Sequence, residues 1–275
     1  MRLDAHIASV YPDHSRSTWK KIIEAGQVKV NGVVEVSPKY DVKESDKLDV
    51  EIPETPDHSS SSLPVIYEDE NVIVIDKPLG VLTHSKGALN DEFTVAEFVR
   101  SKTSYKQDTN RPGIIHRLDR ATSGVIICVK NDETARSLSK QFTDRTVKKQ
   151  YVAVTSAIPK ESEAIIDLPI ARNPSAPSTF RIDPKGKQAE TYYKITDYSD
   201  SHALVTLNPK TGRTHQLRVH LAYVHAPIVG DTIYGSETAD RMYLHANTIE
   251  LTLSGGKRMT FESRVPSEFK RMVSQ

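Results

Sequence analysis

The stretch with the greatest capacity for chemistry is HRLDRATSG, residues 116–124, in which one acid, Asp119, stands between Arg117 and Arg120. Apolar runs flank it, GII before and VIICV after, which places the acid at the end of a predicted buried strand. Guanidinium groups keep a partly buried carboxylate ionised, and such a carboxylate acts as a nucleophile or as a base. An aspartate before Arg-Ala-Thr-Ser-Gly also commonly forms a turn. The residue types alone leave these roles open.

Two further segments place ionisable groups directly against apolar runs, KKQYVAV (residues 148–154) and KTGRTHQLRVHL (residues 210–221). Together with HRLDRATSG they contain three histidines, His116, His215 and His220, which raise the question of a metal site. Their spacing matches no zinc motif, and the neighbouring arginines would repel a cation. We therefore predict no metal ligand set and expect these histidines to form hydrogen bonds in the site or the core.

Composition restricts the class of protein. A chain of 275 residues with 37% hydrophobic and 27% charged residues suits a globular protein with one large domain, or a large one and a small one. The single cysteine, Cys128, lies in the apolar run VIICV and cannot form an internal disulfide, which favours a reducing compartment. The N-terminus has no signal-peptide pattern and no run is long enough to span a bilayer. We expect a cytoplasmic protein without a membrane partner.

Charge is distributed unevenly. The formal net charge is only +1, but basic residues concentrate in residues 15–29, 111–150 and 209–220. Basic segments on a nearly neutral chain predict a focused positive face that attracts phosphates. Any one such cluster alone is as well explained by an ordinary solvated face.

A break in composition divides the chain. The stretch PETPDHSSSSLP, residues 53–64, has three prolines and four serines and is typical of a linker. We place the linker at residues 53–63, between a small unit of residues 1–52 and a larger unit of residues 64–275.

The small unit has well-marked elements. Ser15 or Ser17 caps a predicted helix through TWKKIIEA that ends at Gly26, with Trp19, Ile22 and Ile23 on an inward stripe. Asn31-Gly32, between two β-branched runs, predicts a hairpin, and KLDVEI (residues 47–52) closes a small sheet.

This unit resembles an S4 RNA-binding domain. The matching stretches are RLD at 2–4, SRS at 15–17, GQVKVNG at 26–32 and SDKLDVEI at 45–52. The resemblance implies that basic side chains of the helical part face RNA. The candidate RNA-binding residues of this unit are Arg16, Lys20, Lys21 and Lys29. The alternative is a small capping domain without a ligand.

The larger unit mixes short strands with two or three helices. Predicted helices are TVAEFVRSK, NDETARSLSKQF and THQLRVHLAYV. Strands are predicted in VIYEDENVIVIDKP, GVIICVK, KQYVAVTS, ETYYKITDYS, HALVTLNP, LHANTIELTL and RMTFES. Neighbouring strands with few crossovers indicate an α+β fold with a mixed, mainly antiparallel sheet.

Three motifs in this order, HRLDRATSG, KKQYVAV and GRTHQLRVHLAYVHAPIVGD, resemble a pseudouridine synthase of the RluA/RluD family. VIYEDENVIVIDKPLGVLTHSKG (residues 65–87) and YLHANTIEL (residues 243–251) fit the same family, so the resemblance covers residues 63–265. It implies the pseudouridine synthase catalytic fold, with Asp119 as the catalytic aspartate, Tyr151 as the active-site tyrosine and Arg218 as the arginine that pairs with the aspartate. Position 121 is Ala, where many members carry Asp.

The resemblance also implies the reaction. The bond between uracil N1 and ribose C1′ breaks, the base turns, and it is rejoined through C5, without redox change and without water. No metal or organic cofactor is required, and the sequence contains no P-loop or dinucleotide motif. Asp119 either attacks the sugar or removes a ribose proton, while Tyr151 offers a face for the uracil and a hydroxyl near C5.

The target nucleotide must be flipped out of its stack. We expect Arg117 or Arg120 to fill the gap that it leaves, and phosphate contacts from Lys148, Lys149, Lys210 and Arg213. An S4 domain in front of this catalytic domain favours structured large-subunit (23S) ribosomal RNA as the partner of a monomeric enzyme. The alternatives are a transfer RNA substrate, a catalytically inactive ribosome-associated RNA-binding protein, and a metal-dependent hydrolase.

Overall fold

A computed structural model describes residues 1–12, 15–51, 58, 60–85, 92–235 and 238–274. The chain divides into two compact units, Met1–Ser61 with His84–Thr94, and Ser62–Thr83 with Val95–Gln275. Of the predicted linker, residues 53–57 and 59 lie outside the described residues. Within the described part of the chain, no helix has the length and apolar character needed to cross a membrane.

The first unit packs two helices on a three-stranded antiparallel sheet of order β2-β1-β3: α1 (Leu3–Val10), α2 (Arg16–Glu24), β1 (Val28–Val30), β2 (Val33–Val34) and β3 (Leu48–Val50). Helix α2 begins as predicted, since the Ser15 Oγ atom accepts the Thr18 amide proton at 3.3 Å. Trp19, Ile22 and Ile23 are fully buried in its core. The predicted hairpin turn is confirmed, because Asn31 and Gly32 both have positive φ, 53° and 83°.

The second unit is built on a nine-stranded sheet of order β4-β5-β6-β13-β7-β12-β11-β8, with β14 paired to β13, and on a separate two-stranded ribbon of β9 and β10. Its strands are β4 (Val65–Glu68), β5 (Val72–Lys77), β6 (Ser123–Val129), β7 (Lys148–Thr155), β8 (Glu163–Asp167), β9 (Ile170–Arg172), β10 (Phe180–Ile182), β11 (Glu190–Tyr198), β12 (Ala203–Pro209), β13 (Leu244–Thr252) and β14 (Arg258–Glu262). Its helices are α3 (Val95–Arg100), α4 (Asp132–Thr143), α5 (Gln216–Tyr223) and α6 (Ser267–Val273).

Strand pairing is antiparallel except between β6 and β13, which run parallel. The predicted α+β fold with a mixed, mainly antiparallel sheet is therefore confirmed. Strands β8 to β10 and helix α6 were not predicted, because they are short and lie among prolines and polar residues that give little periodic signal.

Helix α5 is unusual because residues 216–221 are all buried. Leu217 and Leu221 join the core formed with β7, β12 and β13. The polar residues Gln216, Arg218 and His220 are buried beside them, so each needs a partner inside the protein. These partners position the candidate site.

Candidate active site

The HRLDR loop enters the site just before β6 and is fixed by buried polar contacts. The Thr83 hydroxyl donates to the Leu118 carbonyl at 2.7 Å and accepts the Leu118 amide proton at 3.1 Å. His116 accepts the Ile127 amide proton on Nε2 at 3.1 Å, which requires an unprotonated nitrogen. Burial lowers the pKa of His116 to about 3. This histidine therefore fastens the loop to β6 in its neutral form, in agreement with the hydrogen-bonding role expected of it.

A buried lysine from β5 holds the other side of the loop. The Lys77 ammonium donates to the carbonyls of Val81 at 2.8 Å, Pro78 at 3.0 Å and Arg120 at 3.4 Å. Burial lowers the pKa of Lys77 to about 7, although the charge of Asp119 acts in the opposite direction. Lys77 thus connects β5 to the turn that carries Asp119.

Asp119 begins a tight turn, since the Thr122 amide donates to the Asp119 carbonyl at 3.0 Å. The turn uses the backbone, while the carboxylate, with 22% of its side chain exposed, faces a cleft. Its Oδ2 atom lies 3.7 Å from Arg218 Nη1 and 3.8 Å from His215 Nε2. The carboxylate is therefore held near two nitrogen groups without close hydrogen bonds to either.

Tyr151 projects into the same cleft from β7, in the centre of the sheet, where it pairs with Leu207 on one side and Ala246 on the other. Burial, and secondly the charge of Asp119, raise the pKa of Tyr151 far above its usual value. The phenol is consequently un-ionised at neutral pH, and it offers an O–H group and an aromatic face rather than a phenolate.

Arg218 has a closer partner than Asp119. Its Nε and Nη2 atoms donate to the two carboxylate oxygens of Asp231 at 2.7 and 2.8 Å, and both side chains are nearly inaccessible. The sequence prediction paired Arg218 with Asp119 alone. The two do face each other, but the two-pronged hydrogen bonding of the guanidinium goes to Asp231, which sequence analysis did not assign.

His215 stands immediately before α5 with a left-handed backbone, φ 56° and ψ 17°. Such a conformation is strained for a residue with a Cβ and persists only where the surroundings enforce it. Gln216 supplies that enforcement: its amide oxygen accepts from Thr211 Oγ1 at 2.7 Å and from the Arg213 amide at 3.0 Å, and its NH₂ group donates to Thr191 Oγ1 at 2.9 Å and to the Glu190 carbonyl.

The ring of His215 is oriented by Tyr234. The Tyr234 hydroxyl accepts the Phe180 amide proton at 2.9 Å and lies 2.8 Å from His215 Nδ1. When that hydroxyl donates its own proton to Nδ1, the ring proton of His215 lies on Nε2, toward Asp119. Burial lowers the pKa of His215, and the Asp119 charge opposes this, so the neutral ring is the form expected at neutral pH.

The cleft has an empty volume of about 630 Å³ and is lined by all three predicted catalytic residues, Asp119, Tyr151 and Arg218. Three predicted RNA-binding residues line it as well, Arg117, Lys149 and Arg213. Lys149 donates to the Thr211 carbonyl at 3.2 Å, and burial lowers its pKa to about 8. This volume includes open solvent at the mouth of the cleft.

The remaining predicted RNA-binding residues of the second unit, Lys148, Lys210 and Arg120, are exposed and do not line the cleft. Lys148 lies 3.4 Å from Glu250, and Lys210 donates to Glu190 at 3.1 Å. Lys148 and Lys149 separate because successive residues of a strand point to opposite faces of the sheet.

In the first unit, the four predicted RNA-binding residues, Arg16, Lys20, Lys21 and Lys29, are all exposed. Arg16 Nη2 donates to Asp4 at 3.1 Å, and Lys20 lies 3.6 Å from Glu24. The hydrogen bond from Arg2 is the main cause that lowers the pKa of Asp4 to about 2. The RLD stretch thus supplies a buried, ionised acid that orients Arg16.

Several site residues escaped sequence analysis: Asp231 and Tyr234 were given no role, and Lys77 was not singled out. His215 was expected only to form hydrogen bonds in the site or the core. The available signal was the stretch GDTIYG, residues 230–235, whose two glycines mark a turn carrying an acid and an aromatic residue. Among the described residues, no group of three or more histidine, cysteine or acidic side chains is placed to hold a metal ion.

Comparison with known proteins gives one consistent family. A model of the RNA pseudouridylate synthase family matches residues 71–223, and an S4 domain model matches residues 1–48. An uncharacterized RNA pseudouridine synthase of Aquifex aeolicus is 32% identical over 99% of this chain and 93% of its own length. The ribosomal large subunit pseudouridine synthase D of Borreliella burgdorferi is 33% identical over 100% of this chain and 89% of its own. The solved structure of human RNA pseudouridylate synthase domain containing 1 has a TM-score of 0.61 at 26% identity, covering 74% of this chain and 83% of that one.

The fold and these matches define an RNA-modifying isomerase. The chain belongs to the RNA pseudouridine synthase family, in the RluA/RluD group, and carries an S4 domain at its N-terminus. Its reaction is the conversion of uridine in RNA to pseudouridine, and the resemblance stated from the sequence is confirmed.

Proposed function

We propose that this enzyme modifies specific uridines of large-subunit ribosomal RNA and that Asp119 carries out the reaction. The observation that supports the role of Asp119 is its position in the cleft, with the Arg218 guanidinium and the His215 ring near the carboxylate and the Tyr151 phenol in the same cleft. The printed name of the Borreliella burgdorferi relative supports the choice of ribosomal RNA.

In this proposal the ionised Asp119 attacks C1′ of the flipped uridine or removes a ribose proton, and the bond from C1′ to uracil N1 breaks. The released uracil turns against the Tyr151 face, and C5 joins C1′ as the bond from Asp119 to C1′ breaks or as the ribose proton is returned. The C5 proton then leaves and N1 takes up a proton, so the product is an isomer of uridine. Arg218 Nη1 and His215 Nε2–H stabilise the carboxylate without forming short hydrogen bonds that would occupy its lone pairs.

Replacing Tyr151 by Phe tests the part of the phenol. The ring keeps its stacking face and loses the O–H group, so we expect RNA affinity to stay the same and kcat to fall roughly 100-fold, the size of a lost proton-transfer contribution. Tritium release from RNA labelled at uridine C5 measures this directly. A fully active Tyr151→Phe enzyme would remove the hydroxyl from the mechanism and leave Tyr151 only a stacking role.

Arg117 is the better placed of the two arginines proposed to fill the gap left by the flipped base, because it lines the cleft and Arg120 does not. We expect Arg117→Ala to lower kcat/KM roughly tenfold on a folded stem-loop, because flipping there costs a few kcal/mol, and to change it little on an unstructured oligonucleotide. Arg120→Ala, measured on both RNAs, is the matched comparison and should show the smaller loss. Equal rates for wild type and Arg117→Ala on the stem-loop would contradict this role.

The substrate is tested by mapping pseudouridines in total RNA from cells with and without the gene. Pseudouridines that are lost only from 23S ribosomal RNA in cells without the gene support the proposal. Pseudouridines that are lost only from transfer RNA would show that transfer RNA is the substrate instead. No missing site in either RNA, together with no tritium release by the purified protein, would favour an inactive ribosome-associated protein. The proposal takes the enzyme as a monomer that acts in the cytoplasm.

A further inference from the structure

The two nitrogen groups nearest the Asp119 carboxylate, those of Arg218 and His215, are both contacted by one short turn, residues 230–234. Asp231 binds the Arg218 guanidinium by two hydrogen bonds, and its Oδ1 atom also accepts the amide protons of Ile233 at 3.2 Å and Tyr234 at 3.4 Å. The Tyr234 ring lies against the guanidinium with 5.0 Å between its centroid and the Arg218 Cζ atom. The Tyr234 hydroxyl contacts His215. A single turn therefore controls both nitrogen groups directed at the catalytic carboxylate.

Charge explains why a second carboxylate is useful here. The positive charge of Arg218 is offset by Asp231 at 2.7 Å, and the ring of His215 is neutral, so Asp119 faces N–H groups with almost no net positive charge. An unpaired guanidinium in this buried position would attract Asp119 into a short two-pronged pair. Such a pair would occupy the lone pairs of the Asp119 carboxylate and make that carboxylate less reactive.

We propose that Asp231 is a positioning residue: by binding Arg218 Nε and Nη2, it keeps the guanidinium from closing onto Asp119 and so preserves a reactive carboxylate. The inference rests on the proposed role of Asp119. Asp231 has no proposed contact with the substrate. The ring of Tyr234 packs against the Arg218 guanidinium and supports the same arrangement.

The pH–rate profile is informative because Asp231 affects His215, whose pKa lies below its usual value. The charged or titratable groups that act on Asp119 are Arg218, His215, Lys77, Tyr151 and Tyr234. Lys77 and the tyrosines titrate near or above neutrality, so His215 is the group of this set that contributes to the acid limb. The negative charge of Asp231 raises the pKa of His215, so its removal lowers that pKa and moves the acid limb toward lower pH.

Asp231→Asn is the test variant. We expect the single-turnover rate constant at neutral pH to fall roughly 100-fold while the affinity for RNA is unchanged. The acid limb of the pH–rate profile should move down by about one pH unit. Asp183→Asn is the matched control, because Asp183 also binds an arginine, Arg181, at 3.0 Å and accepts an amide proton from Lys185, but is only half-buried and does not line the cleft. It should keep the wild-type rate and profile.

A double variant separates positioning from support of the fold. If Asp231 acts through Arg218, Asp231→Asn added to Arg218→Gln should cost nothing further, and losses that multiply would overturn the proposal, as would an unmoved acid limb. The double variant lacks both buried charges, those of Arg218 and Asp231. Its rate can therefore be compared with that of Arg218→Gln even where Asp231→Asn alone folds poorly. An active Asp119→Asn enzyme would refute the proposed function itself, whereas an inactive one beside a fully active Asp231→Asn would refute only this inference.

Discussion

Asp119→Asn is expected to lower kcat by roughly 10⁴-fold or more while the affinity for RNA stays within about twofold. The amide is nearly the same size as the carboxylate, but it is neutral and neither attacks C1′ nor accepts a proton. The contacts that hold the loop involve Thr83, Lys77 and His116 and use backbone atoms of the loop or the His116 ring, so they survive the substitution. Tritium release from C5-labelled RNA measures the loss, and fluorescence anisotropy with the same RNA measures binding.

Asp119→Glu is the matched control for charge. It retains a carboxylate but moves it about one methylene further into the cleft, so it should also lose most of its activity if position matters as well as charge. Thermal unfolding of both variants checks that the catalytic unit is intact. Tritium release within tenfold of wild type for Asp119→Asn would show that another group performs the reaction.

Asp119 lies among several basic side chains whose positive charge is weakened by their surroundings. Arg218 is held by Asp231, the pKa of Lys77 is lowered to about 7 by burial, and the pKa of Lys149 is lowered to about 8 by the same cause. Each of these three cations is therefore either offset or partly neutralised. The Asp119 carboxylate is therefore surrounded by basic groups without a short ion pair, since its nearest cation, Arg218 Nη1, lies 3.7 Å away.

The sequence predicted the local features of this site and missed those that depend on the meeting of distant segments. HRLDRATSG indicated Asp119 because its arginines and flanking apolar runs are adjacent in sequence. The hydrogen bonds of Arg218 could not be predicted in this way, because nothing in residue type distinguishes Asp231 from Asp119 as the partner of a guanidinium. The choice is made by the turn at 230–234, whose geometry places both Asp231 oxygens against Nε and Nη2.

Two other differences have simpler physical causes. The predicted strand at Lys148 to Val154 already implied that Lys148 and Lys149 point to opposite faces, so only one of them could line the cleft. Lys77 is fully buried although lysine is rarely buried, because three carbonyl groups happen to converge on its ammonium group. Periodicity in the sequence does not reveal such a convergence.

The last residue of the motif, Gly124, is required by close packing of the sheet. It has φ +112°, and a Cβ atom there would lie 2.2 Å from the carbonyl oxygen of Ala246, its partner on the parallel strand β13. No side-chain rotation relieves a contact with backbone, so β6 and β13 would have to separate. The neighbouring Ser123, which binds His245 Nδ1 at 3.0 Å and Arg241 Nη2 at 2.7 Å, would then lose its buried partners.

We therefore expect Gly124→Ala to lower the free energy of unfolding by roughly 4 kcal/mol, because the backbone would be strained and β6 and β13 could no longer pack closely together. Gly255→Ala is the matched control, because Gly255 also has a positive φ, +83°, but a Cβ atom there would meet no other atom within 4 Å. It should cost only about 1 kcal/mol, the strain of the backbone conformation alone. Urea unfolding followed by circular dichroism gives both values. Equal costs for the two variants would show that the contact with Ala246 relaxes freely and that conformation alone selects glycine at this position.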